Sequence, residues 1–249
     1  MTKALTKKEE TALATMNFAE DSGSGFEAMG ADDMAIPFIS ILQSLSPQCK
    51  KSEEKYVKGA EEGMFINTVT NEIFSGETGI NIIPCFFEKV ILEWKPKRAG
   101  LAGMHPKDTP LLANAEKNEK GQDVLGNGNI LSPTAQYYSL FLNDGKIDKV
   151  VISMSSTGLK VSRRWNRSMA TLTMKNPDGI EFIPPMYSHI YNMKSTAESN
   201  DQGSWMNWLE GPGTLITDEN IYLTAKLFHK EATAGRAKIA QNRDDNIPF

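Results

Sequence analysis

The 249 residues and 40 % hydrophobic content suffice for one large domain or two small ones with a real core. A formal charge of -4 at neutral pH excludes a bulk polycation, so any affinity for nucleic acid must come from where the charge sits. Two distant cysteines, Cys49 and Cys85, and three scattered histidines, His105, His189 and His229, exclude a structural zinc site of ordinary spacing and a disulfide framework.

In chain order, residues 1–33 are polar and acidic and carry DSGSG; they predict a flexible N-terminal arm. A single domain is expected from 34 to 235. It opens with the apolar string IPFISILQSL. Strand composition begins at Met64. MFINTVT and EIF read as a tight hairpin turning at Thr70-Asn71, and Gly76 to Gly79 lead into INIIPCFFEKVILEW. That long segment predicts one bent strand, with Pro84 marking an edge position or a bulge.

Residues 95–134 are rich in Gly, Pro, Asn and Lys and lack apolar periodicity, so a long loop is expected there. Residues 135–142, AQYYSLFL, are again strand-like; Asn143-Asp144-Gly145 is a hairpin turn, and KIDKVVISMS is the partner strand. The period then changes. TGLKVSRRWNRSMATLTM predicts a helix over 157–174 with Ser156 or Thr157 as its N-cap. YSHIYNMKST and SWMNWLE are extended, and a last helix is expected after Thr217, where Asp218 and Glu219 suit the positive end of its dipole. The order predicts a mainly β, α+β chain: an OB-fold-like antiparallel barrel with an inserted helix, a long loop and a C-terminal helix. An up-and-down barrel or a split antiparallel sheet would read much the same.

Three constellations carry chemistry. The first is the predicted helix, where Lys160, Arg163, Arg164 and Arg167 stand at i, i+3, i+4 and i+7 and form one cationic stripe. Residues 146–175 carry a net charge of +6, and no acid lies between Lys149 and Lys175, so phosphate is the natural counterion. A solvated helix face is the alternative. The second is aromatic residues among cations: Trp94 beside Lys95, Lys97 and Arg98, then Tyr137, Tyr138 and Phe141, Tyr187 and Tyr191 near Lys194, and Trp205 with Trp208. Such mixtures serve single-strand binding, because every base offers a π face and every nucleotide a phosphate. Strand alternation allows at most one of the Tyr137 and Tyr138 faces to be open.

The third constellation is the segment Asp244-Asp245-Asn246-Ile247-Pro248-Phe249 within a flexible tail from 236 to 249. Pro248 pre-organises it, and Phe249 combines a ring with a carboxylate, which suits an apolar pocket rimmed by Arg or Lys. The segment resembles the acidic, Ile-Pro-Phe-terminated tail of bacterial single-stranded DNA-binding proteins. That resemblance implies recruitment of replication, recombination and repair proteins through Asp244, Asp245, Ile247, Pro248 and Phe249. The body of the chain, with IPFISILQSLSP, FINTVTNEIFSG and IIPCFFEKVILEWKP, is similar to tailed-phage proteins that bind single strands in replication or recombination.

The expectation is therefore a sequence-nonspecific single-stranded DNA-binding protein. Its expected DNA contacts are Trp94, Lys95, Lys97, Arg98, Tyr137, Lys160, Arg163, Arg164 and Arg167. No catalytic motif, metal site or cofactor is expected. No segment approaches the about 18 apolar residues of a membrane span, which points to the cytoplasm, that of a bacterial host if the protein is phage-encoded. A strand-annealing recombinase, and an adaptor that binds partner proteins but no DNA, both remain compatible with these residues.

Overall fold

The computed structural model describes residues 24–25, 35–201 and 203–235, apart from the side chain of Arg98. The chain divides into two units, residues 1–34 and 35–249, and the second holds the sheet and its helices. Apart from residues 24–25, the expected arm lies outside the described residues, as does the expected tail. In order, the strands are β1 (Phe38–Ile41), β2 (Phe65–Asn67), β3 (Ile73–Phe74), β4 (Ile80–Trp94), β5 (Leu101–Pro106), β6 (Glu116–Lys117), β7 (Asp123–Val124), β8 (Ile130–Asn143) and β9 (Lys146–Ser155). Helix α1 (Gly158–Ala170) comes next, then β10 (Met174–Lys175), β11 (Glu181–Phe182), β12 (His189–Asn200), β13 (Gly203–Leu215) and α2 (Glu219–Thr233).

One sheet runs β13-β12-β4-β8-β9-β1-β2-β3 and curls into a half-barrel, an OB-like α+β arrangement. All pairings are antiparallel except that β1 lies parallel to β9 at Phe38 and Ile39. The bend expected at Pro84 is a register shift between Pro84 and Phe86 against β8, which spares proline a ladder hydrogen bond it cannot donate. The β8–β9 hairpin turns on Asp144 (φ 47) and Gly145 (φ 83). Both central residues have positive φ, the type I′ geometry that matches strand twist and that an Asp-Gly pair adopts cheaply.

Contacts from the connections around β1, β2 and β3 to the distant strands β12 and β13 tie the curl together. Ser195 N donates to the Gly76 carbonyl at 3.0 Å and its hydroxyl donates to the Gly63 carbonyl at 2.5 Å. The Gln43 side chain donates to the Met206 carbonyl at 2.9 Å and accepts from the Met206 amide at 2.8 Å, imitating a strand neighbour. Gly76 has no substitute at this seam, since a Cβ there would sit 1.9 Å from the Gly63 carbonyl oxygen.

A helix covers each face of the sheet. On one face Val161, Trp165 and Met169 of α1 pack among Ile82, Tyr137, Ile152 and Tyr191. On the other, Ala225, Phe228 and Ala232 of α2 pack among Ile83, Cys85, Tyr138 and Val151. Helix α2 starts where Asp218 accepts from the Asn220 and Ile221 amides at 2.8 and 3.2 Å, a cap worth about 1 kcal/mol. Helix α1 ends at Ala170, short of the expected 174, and Thr157 makes no side-chain cap. The expected long loop is largely folded. Strands β5, β6 and β7 extend the sheet on both sides of the far ends of β4 and β8. Their pairing uses backbone groups, so polar residues form it without apolar periodicity.

Candidate nucleic-acid interface

Helix α1 positions the cationic stripe. Its apolar residues recur at Val161, Trp165 and Met169, all buried, and this fixes the opposite face outward. Lys160, Arg163, Arg164 and Arg167 are all exposed. They do not act alike. Glu210 of β13 holds Arg164 through both its Nε and an Nη, and that carboxylate raises the guanidinium pKa above its ordinary value. Among the described residues, Lys160, Arg163 and Arg167 make no ion pair, so the expected four-cation stripe is a ridge of three free charges. The acid that compensates Arg164 comes from 46 residues away, where no local reading of the helix finds it. Lys149 is likewise held by Glu231 of α2 at 2.5 Å and lies over the Phe228 ring.

The sheet register places one more cation on the sheet face that carries α1. Lys89 pairs with Ala135 and Ala135 with Met154, so the three share one row. The first turn of α1 sits on that row, since a Cβ on Gly158 would lie 3.3 Å from the Met154 Cβ. Lys89 is exposed and belongs to the face that α1 covers. Its position in the long strand gave no sign of this, because the bulge after Pro84 inverts the alternation before Lys89.

Trp94 closes β4, half-buried and in register with Leu101 of β5 and Ile130 of β8. Lys95 and Lys97 beyond it are exposed, and Lys97 takes a left-handed φ of 55. The side chain of Arg98 lies outside the described residues. Beside Trp94, Glu93 accepts from Asn129 Nδ2 at 2.5 Å and lies 2.8 Å from His105 Nε2. The Asn129 bond, then His105, hold the Glu93 carboxyl below its ordinary 4.5. A depressed carboxylate stabilises the fold above its unfolded pKa and loses that contribution as pH falls through the folded value. Glu93→Gln is therefore expected to lower the melting temperature at pH 7, with the gap to wild type closing below about pH 4.5. A gap independent of pH would show that the charge contributes nothing.

Tyr137 is corrected by the structure. It is 0 % exposed, its ring lies 4.5 Å from that of Trp165, and its hydroxyl bonds Ser162 and Asn166. Burial pushes its pKa up, and it has no face to offer a base. Tyr138, on the other side of β8, is 6 % exposed and donates to Glu88 at 2.7 Å. Strand alternation leaves at most one face open; both are covered because a helix packs on each. Tyr191 is buried, and Trp208 is buried and stacked 5.0 Å from Phe65. Tyr187 packs against Tyr222 and His229. The segment with Asp244, Asp245, Ile247, Pro248 and Phe249 lies outside the described residues.

Among the described residues no helix is long and apolar enough to cross a membrane. A protein-family model, described as Pam3 phage gp34-like protein, matches residues 6–238. No curated protein and no solved structure matches the chain.

Proposed function

The chain belongs to the Pam3 phage gp34-like family, and from that premise we propose that it binds single-stranded DNA without sequence preference during phage replication or recombination, as a binding protein and not an enzyme. The observation that supports this reading is the free ridge of Lys160, Arg163 and Arg167 on a helix whose other face is locked into the half-barrel. Three cations at helical spacing, with Lys89 exposed on the same sheet face, favour a flexible chain of phosphates over a compact acidic ligand. The host cytoplasm is where such a protein would meet its substrate.

The test is a titration of the full chain with labelled oligo-dT and with a duplex of equal length, repeated over a range of salt. Binding to oligo-dT is expected to exceed binding to duplex. The slope of log K against log salt is expected near -0.7 per neutralised phosphate. No binding to either at low salt would leave the adaptor as the reading.

The Asp244–Phe249 segment is proposed to recruit replication, recombination or repair proteins. Deleting it is expected to abolish capture of a partner from host lysate while leaving oligo-dT affinity unchanged or slightly higher, since two aspartates that compete with phosphate are removed. Identical pull-down profiles for intact and truncated protein would remove the recruiting role.

A further inference from the structure

A stacking platform needs an exposed ring, and the aromatic residues named from the sequence are buried, half-buried or packed against other rings. Among the described residues, Phe182 is the one exposed aromatic side chain, 42 % open. It lies on β11, whose only strand partner is β10, in a two-stranded sheet separate from the main one. Met174 faces Phe182 across this hairpin, and alternation puts Ile180 on the same side. Ile180 is 63 % and Ile183 64 % exposed. Three large apolar side chains open to water on one small hairpin are a cost that a bound ligand removes.

Resting on the single-strand reading above, we infer that Phe182 is the ring on which a base of the bound strand stacks. The hairpin leaves α1 directly after its last turn, where Arg167 stands. Phe182 is thereby tethered beside the phosphate-binding ridge. The acids nearby are Glu181, which pairs with Lys175 at 3.4 Å, and Asp178 in the hairpin turn, within 3.5 Å of Asn176 Nδ2. A second copy of the chain is the poorer occupant. A two-fold contact through this hairpin would bring two cationic ridges together, and like charges oppose that approach.

Oligo-dT titration of the full chain tests the assignment with wild type, Phe182→Ala and Phe182→Trp. The hairpin is exposed, so neither change threatens the core; circular dichroism checks this. Phe182→Ala is expected to weaken binding on the order of 10-fold with an unchanged salt slope, because stacking releases no counterions. Phe182→Trp is expected to keep the affinity and to add an indole emission that oligo-dT quenches. Undiminished affinity of Phe182→Ala, with wild type binding normally, overturns the inference and leaves single-strand binding standing. A self-association of wild type that Phe182→Ala abolishes, with DNA affinity unchanged, overturns it in favour of a contact between copies. Absence of binding by wild type removes both.

Discussion

Replacing Arg163 and Arg167 together by glutamate is expected to lower oligo-dT affinity at low salt by on the order of 10-fold or more, and to flatten the salt slope by about 1.4, or 0.7 for each phosphate no longer neutralised. Both side chains are exposed and free of ion pairs among the described residues. Reversal therefore breaks no ion pair, costs the helix only the small dipole contribution of Arg167 in its last turn, and converts two attractive charges into repulsive ones. Arg164→Glu is the informative comparison. Its guanidinium is engaged by Glu210, so reversal sets two carboxylates against each other where the helix meets β13. That variant is expected to lose stability more than it loses DNA. An unchanged slope in the Arg163 and Arg167 double variant would show that the phosphates run elsewhere, with Lys89, Lys95 and Lys97 as the next candidates.

Trp165→Ala is expected to cost about 3–5 kcal/mol of unfolding free energy, a large share of the 5–15 kcal/mol typical of a whole domain. Trp165 is 0 % exposed and lies against both Tyr137 and Tyr191, at 4.5 and 5.5 Å between ring centroids. Truncation would leave a void between α1 and the sheet that neither neighbour can fill without leaving its own position. Trp165→Phe is expected to cost much less. It keeps a ring in the site and removes an indole N–H that is buried without a hydrogen-bond partner among the described residues. Denaturant midpoints of the three proteins, compared at constant slope, measure both changes. Because α1 carries the cationic ridge, oligo-dT affinity of Trp165→Ala should fall in step with the folded fraction. A stable Trp165→Ala protein would mean that α1 is held by its flanks and that the ring is dispensable.

Elements whose causes are local are legible in the residues alone. The long strand β4 with its break at Pro84, the β8–β9 hairpin on Asp144-Gly145, the start of α2 at Asp218 and the outward stripe of α1 all arise from residue conformations or hydrogen bonds spanning a few positions. Long-range packing set whatever depends on residues far apart in the chain. It buried Tyr137 and Tyr138 alike, because helices arriving from two later segments cover both faces of one strand. It withdrew Arg164 from the stripe through Glu210, and put Lys89 on the face that carries α1 through a strand register set on the far side of a bulge. It left Phe182 exposed on a two-stranded hairpin apart from the main sheet. Periodicity reports which side of an element is apolar. Whether that side meets water depends on what packs there, and that is a property of the assembled chain.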